Sequence, residues 1–307
     1  MNSHSRGVIF CLISVISWGC MFPVMATVLP HMDPFFFTLI RYGLAAVVFG
    51  FLLIFKEGYK SFLQLEKKGY LILLGSMGFG GYGFLVFFGQ QLAGPHGQIT
   101  TAVFMALMPM LSVFINWVLK GLRPKPLTLV FVTLSFLGVL TAATDGKFTV
   151  LTNLGTTFEA NILIILGAFC WVSYTNGATL FPNWTPLKYT TITTFFGLPV
   201  IILVNLVLHL SNIFSVPSLS TILSLSPQIS YMVIIAAVVA VLAWNTGNKL
   251  LKPINGVLFM DLVPVTAFFV AMSRGLIPTS AEIFGATLTI TALVLNNVYI
   301  RSLARAN

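Results

Sequence analysis

The sequence predicts an all-α membrane protein with ten transmembrane helices, arranged as two inverted five-helix repeats. Three observations predict it. The 307 residues are 57% hydrophobic and only 7% charged, with mean hydropathy +0.97. The apolar residues fall in runs near the roughly 20 residues that cross a bilayer. Motifs of the first half return in the second at about half the chain length. An ordinary soluble domain is about 25% charged, so this chain cannot cover a globular surface with charge. Disorder needs the opposite composition, low hydrophobicity with high charge.

Span 1 is expected at 7–29. Its apolar stretch is too long for a signal peptide and no A-x-A site follows, so it reads as a retained helix. Span 2 (34–55) follows Asp33-Pro34 and ends at the loop carrying Lys56, Lys60, Lys67 and Lys68. Span 3 (69–92) contains Gly78-x-Gly80-x-x-Gly83. A dinucleotide site needs that pattern between a strand and a helix. Inside an apolar helix the glycines read as close packing or bending. Span 4 (97–119) ends before the loop of Lys120, Arg123 and Lys125, and span 5 (126–143) follows it. Span 6 (160–181) and span 7 (189–210) are separated by a short loop containing Trp184, Thr185-Pro186 and Lys188. Span 8 (229–250) carries Trp244 and Asn245. Span 9 (254–272) holds Asp261, and span 10 (281–300) stops at Arg301.

The sixteen basic residues set the orientation. Arg6, Arg305 and the basic residues of the even-numbered turns named above, with Lys249 and Lys252, fall on one side. Lys147 and Arg274 fall on the other. The positive-inside rule then makes both termini cytoplasmic. The net charge of +9 is spread singly between apolar runs, so it reads as topology and not as a nucleic-acid surface. Cys11, Cys20 and Cys170 all lie in spans, without a CxxC pattern or disulfide framework.

The repeat is read from paired motifs. Ala106-Leu107-Met108-Pro109-Met110 answers to Asp261-Leu262-Val263-Pro264-Val265, and Trp18 to Trp171. Asp33-Pro34 answers to Thr185-Pro186, and Gln90-Gln91 to Asn245-Thr246. Five helices is an odd number, so the copies 1–150 and 151–307 face opposite ways. Inverted repeats with a binding site at their interface are a mark of secondary transporters.

Several residues are candidates for the site. Asp261, within span 9, costs about 2.5–3.5 kcal/mol at mid-bilayer unless it faces a cavity or a partner. Binding a substrate amine, carrying a coupling proton and pairing with Arg41 are all open to it. Arg41 itself can snorkel to the interface or pair in the bundle. Trp18, Tyr82, Trp171, Tyr174 and Trp244 can form an aromatic box that stacks on planar groups or holds cations, or can simply pack. Trp117 and Trp184 fit an interfacial belt. Gln90 and Asn245 can bind a zwitterion or amide, or join helices. The isolated His4, His31, His96 and His209 and the seven acids form no catalytic or metal-spaced cluster. An integral-membrane enzyme is therefore disfavoured, and a channel would show continuous polar lining.

These residues resemble the drug/metabolite transporter superfamily, in its EamA-type ten-helix exporter branch. The resemblance spans essentially the whole chain. It rests on Trp18-Gly19 with Phe22-Pro23, Arg41 after Asp33-Pro34, Pro109, Pro264, Ala243-Trp244-Asn245, and Gly167-Ala168-Phe169-Cys170-Trp171 with Tyr174. Gly75-Ser76 followed by Tyr82 is similar to the aromatic-amino-acid exporters. That resemblance implies that Trp18, Tyr82, Trp171, Tyr174 and Trp244 line a substrate cavity. Where that group has aromatics before the span 4 proline, this chain has Met105, Ala106 and Met108, and Met105 and Met108 join the expected lining. The Glu that many members carry after spans 4 and 9 is replaced by Gly121-Leu122-Arg123 and Gly275-Leu276-Ile277. The resemblance implies alternating-access export of a small metabolite, an amino acid first, across a bacterial cytoplasmic membrane, without a cofactor and with protons as a candidate coupling ion. Import or facilitated passage of another solute, such as a nucleobase or a drug-like cation, is the rival reading.

Overall fold

The computed structural model describes residues 3–121, 123–146, 156–251, 256, 259–260 and 262–306. Its regular structure is helical throughout these residues. The helices are α1 (Ser3–Val28), α2 (Pro34–Glu57), α3 (Lys68–Leu92), α4 (Gly97–Met105), α5 (Met108–Lys120) and α6 (Pro126–Ala143). They continue with α7 (Thr156–Gly177), α8 (Pro186–Leu210), α9 (Leu219–Ser224), α10 (Ser226–Leu251), α11 (Leu262–Ser273) and α12 (Ser280–Ala306). Among the described residues α1, α2, α3, α7, α8 and α10 are long and apolar enough to cross a membrane. The pair α4 and α5 adds a seventh span if its 42° bend is taken as one broken helix, and the remaining apolar stretches, Pro126–Ala142, Leu262–Ser273 and Ser280–Asn296, are shorter. The boundary expected between residues 150 and 151, Lys147, Lys252, Asp261 and much of the start of span 9 lie outside the described residues.

The outer face is what a lipid-embedded bundle requires. Phe51 and Phe55 on α2, and Leu203, Leu206 and Leu210 on α8, are exposed, Phe55 to 83%. A monomer in water rarely leaves so large an apolar surface uncovered.

Local chemistry fixes the helix ends. The Asp33 carboxylate accepts the N–H groups of Phe35 (2.8 Å) and Phe36 (3.4 Å), with Pro34 opening α2. Burial raises the Asp33 pKa, and these two donors oppose the rise. Thr185 caps α8 in the same way, accepting from Lys188 N–H at 3.0 Å ahead of Pro186. Both prolines occupy the first turn, where the missing N–H has no helical partner to lose.

The interruptions are also paired. Pro109 has no N–H for the Met105 carbonyl and its ring crowds that residue, so α4 stops at Met105 and the chain bends. Pro264 stands four residues after Met260, and α11 starts at Leu262. Spans 3 and 8, expected as plain helices, each contain a π-helical stretch, Ser76–Gly81 in α3 and Tyr231–Val239 in α10. The two stretches begin at the same separation as Pro109 and Pro264.

Packing exchanges helices between the halves. The opening helix α1 lies against α10 and α11, while α7 lies against α3, α4 and α5. Helix α2 crosses α8, and α6 runs along α12. Glycines permit the closest crossings. A Cβ on Gly75 would lie 2.1 Å from the Thr193 carbonyl oxygen, and one on Gly78 would lie 2.5 Å from the Tyr174 ring. Gly78 and Gly83 of the formal GxGxxG pattern are therefore seats for Tyr174 and Thr38 in a helix crossing.

Gly75→Val forces backbone against backbone and is expected to destabilise the protein by about 2 kcal/mol or more, since overpacking costs roughly 1–3 kcal/mol. Gly43→Val, where no atom lies within 4 Å, is the control. Melting in detergent, followed by size exclusion, should separate the two. Equal melting would contradict this crossing.

Candidate functional site

Five bundle helices aim aromatic or flexible side chains at one point. Trp18 of α1, Tyr82 of α3, Met105 and Met108 at the α4–α5 bend and Trp171 of α7 line a central cavity. Phe22, Arg41, Tyr42, Val241, Met260 and Val263 complete its described lining. The cavity holds about 10 Å³, room for about one water. In this conformation the centre is closed.

The rings form a continuous ladder. Trp18 meets Trp171 edge to face with centroids 5.2 Å apart, and Trp244 at 5.3 Å. Trp171 touches Tyr82 (5.3 Å) and Tyr174 (5.2 Å). Tyr174 stacks on Tyr189 at 5.1 Å and 23°, and Tyr189 adjoins Phe181, which packs on Trp184. Such offset and edge-to-face pairs are the favoured ring geometries.

Polar groups tie the ladder down. Trp18 Nε1–H donates to the Ala236 carbonyl (3.0 Å), inside the π stretch of α10. Trp244 Nε1–H reaches Thr175 Oγ1 at 3.3 Å. Asn245 donates to Tyr174 Oη (2.9 Å) and Thr190 Oγ1 (2.7 Å), and the Tyr189 hydroxyl donates to the Tyr174 carbonyl (2.6 Å). Gln90 donates to the Phe22 carbonyl at 2.9 Å. Its contact joins α3 to α1 and lies beside the cavity, not in its lining.

A second space lies beyond Tyr174. A vestibule of about 200 Å³ is lined by Thr175, Thr179, Phe181, Trp184, Tyr189, Asn245, Asn248 and Lys249 among others. Lysines hold its rim. Lys249 Nζ donates to the Trp184 carbonyl (2.8 Å), Lys67 Nζ donates to the Leu180 carbonyl (2.7 Å), and Lys188 Nζ sits 4.7 Å from the Trp184 ring centre. Tyr174 thus separates the vestibule from the cavity. On another face of the bundle Arg274 ties α11 to α1 by donating to the Pro23 carbonyl at 2.6 Å.

The structure therefore gathers Trp18, Tyr82, Met105, Met108 and Trp171 on the cavity. Tyr174, Trp244 and Asn245 stand behind them, and Asp261 lies outside the described residues. Trp184 is a correction to the interfacial-belt expectation. It is buried, with Phe181 and Lys188 against its ring and Lys249 on its carbonyl, while Trp117 is exposed. Arg41 does not snorkel. It is 1% exposed and faces the cavity. Sequence reasoning passed over Phe22, Tyr42 and Met260 as lining. Met260 was findable as the repeat partner of Met105, while the others carried no local signal.

Residues 5–144 match the EamA-like transporter family. The chain is 37% identical over 295 residues to the uncharacterized transporter YrdR of Bacillus subtilis (strain 168), covering 96% of this chain and 92% of that one. It is 29% identical to the uncharacterized transporter YyaM of the same organism, covering 85% and 83%. A solved crystal structure of another protein shares the fold with TM-score 0.68, covering 96% of this chain and 98% of that one at 18% identity.

The closed centre has a direct consequence for labelling. In a background freed of Cys11, Cys20 and Cys170, a cysteine at Met108 should react with a polar thiol reagent at least tenfold more slowly than one at Thr179. Equal rates would mean that the cavity is open in the resting protein.

Proposed function

The chain belongs to the EamA-like transporter family, in the drug/metabolite transporter superfamily, and from that premise we propose that it is a secondary carrier exporting a small amphipathic metabolite. An amino acid is the first substrate class. The carrier works by alternating access, with ten transmembrane helices in two inverted repeats, in a bacterial cytoplasmic membrane with both termini cytoplasmic. It is a carrier and not an enzyme.

The observation that carries the reading is the position of the cavity. It lies where the exchanged helices α1 and α7 meet, closed by the ladder that separates it from the vestibule. The reciprocal packing, the paired π stretches, the paired capping residues and the paired proline breaks support two copies of one unit in opposite senses. The lysine-rimmed vestibule agrees with the side that the basic loops mark as cytoplasmic. Solute would enter there, pass Tyr174, and reach Trp18, Tyr82, Met105, Met108 and Trp171. A rocking motion would then close Tyr174 behind it and release the Arg274–Pro23 contact. Trp244 and Asn245 would hold the inner wall during that motion, and Gln90 would keep α3 on α1. Methionine suits such a lining because its unbranched side chain repacks readily.

Purified protein in proteoliposomes, given a panel of labelled metabolites, should show saturable uptake of at least one solute, accelerated by the same solute inside. Flux linear in concentration without counterflow would instead indicate a channel. Trp171→Ala should raise half-saturation by about tenfold, the effect of losing about 1.4 kcal/mol of contact. Unchanged half-saturation would remove Trp171 from the site. For coupling, Asp261 is the proton-carrying candidate. Asp261→Asn should abolish pH-driven flux while exchange persists, and retention of pH-driven flux would reject that role.

A further inference from the structure

We propose that Arg41 is the anion anchor of the central cavity, so that the carried solute must present a carboxylate to it. This rests on the carrier reading above and assigns the chemistry of its substrate.

A guanidinium has five N–H donors and remains protonated in proteins. At Arg41, Nε–H donates to the Met232 carbonyl at 3.2 Å and Nη2 donates to the Ala236 carbonyl at 3.3 Å. Both distances are at or beyond the long end of the usual range, and both acceptors are neutral. Nη1 has no hydrogen-bond partner. The rest of the surroundings is aromatic, with the Tyr42 and Phe87 ring centres 4.9 and 5.5 Å from the guanidinium carbon. Burying a charge this way is unfavourable unless a counter-charge arrives. Among the described residues that line the cavity, Arg41 is the one charged side chain and none is acidic.

Two further polar groups point the same way. Trp171 Nε1–H and the Tyr42 hydroxyl line the cavity, are buried, and have no hydrogen-bond partner. The Tyr82 hydroxyl has only the Met105 sulfur, at 3.9 Å. Unpaired buried polar groups are few in native proteins, and here three converge on one space. What they share is donor capacity. An anionic oxygen pair satisfies them together: one face of the carboxylate takes the guanidinium fork, and the lone pairs left over accept from the indole and phenol. With one cation in the described lining, a single carboxylate group is matched and a phosphate dianion is not.

The test uses wild-type protein reconstituted in proteoliposomes, with L-phenylalanine, L-leucine and L-threonine and their carboxamides as the probes. Each is measured as a competitor of the solute found by the counterflow panel. At least one acid should compete tenfold or more better than its amide. In Arg41→Met that ratio should fall below two, and Arg41→Lys should restore a preference for the acid at weaker affinity. If no acid surpasses its amide, or if Arg41→Met keeps the ratio, the proposal is overturned. Should Arg41→Met fail to fold, the wild-type ratio and Arg41→Lys decide, and an unchanged ratio in Arg41→Lys with unchanged affinity overturns it. Counterflow of a solute with no acid preference would leave the carrier reading standing and remove only the anchor. Absence of counterflow for every solute would remove the carrier reading itself.

Discussion

Trp18 and Trp171 meet edge to face at 5.2 Å, and the two helices that bear them are each embedded in the opposite half of the chain. That contact couples the halves. Helix α1 cannot tilt against α7 without sliding one indole over the other, and the slide reaches Trp244 on one side and Tyr82 and Tyr174 on the other. An aromatic pair contributes only about 0.5–1.5 kcal/mol beyond its buried area. A ladder of such pairs is therefore firm enough to close a cavity and weak enough to be rearranged at modest cost. A core of interlocked branched residues would resist the same displacement, because close-packed interiors transmit strain.

Lipid imposes a second condition. A backbone group released from a helix in hydrocarbon must find another partner. The helix interruptions of this chain gather near the cavity, and side chains answer several of the carbonyls there. Gln90 donates to the Phe22 carbonyl beside the cavity, and away from it Arg274 donates to the Pro23 carbonyl. Arg41 and Trp18 donate to carbonyls in the π stretch of α10. The π stretch of α10 thus also supplies the carbonyls that hold Arg41 and Trp18 at the cavity.

Much of this was legible in the chain. Asp33-Pro34 and Thr185-Pro186 mark helix starts because capping is local chemistry, and Pro109 marks the bend because a missing N–H acts four residues away. The cavity aromatics Trp18, Tyr82 and Trp171 could be chosen because indoles and phenols in mid-span are conspicuous. The inward face of each helix could not be chosen that way. In a helix that is apolar all round, with lipid outside and side chains inside, no pattern separates the two faces. Phe22 and Phe51 look alike in sequence, yet one lines the cavity and the other is exposed. The π stretches were invisible for a related reason. They add a residue to the turn without changing composition, and only the packing of Gly78 beneath Tyr174 reveals what the widening accommodates.

Charge gives the last step. Lys67, Lys188 and Lys249 are engaged by carbonyls or a ring at the vestibule rim. Neutral partners of this kind hold the side chains in place but cancel none of their charge. Basic side chains therefore stand at the rim, where the Glu57 carboxylate accepting from Thr185 is their acidic neighbour, and again at Arg41, where the surroundings are drier and the interaction per charge is larger. A solute cation would meet repulsion at both points. An anion would be drawn to the rim and held more strongly at the centre, because the fold has already desolvated the guanidinium and left its Nη1 donors unpaired. On this reading the counter-ion that Arg41 lacks among the described residues is the solute itself, and its arrival removes the main electrostatic penalty of the closed cavity.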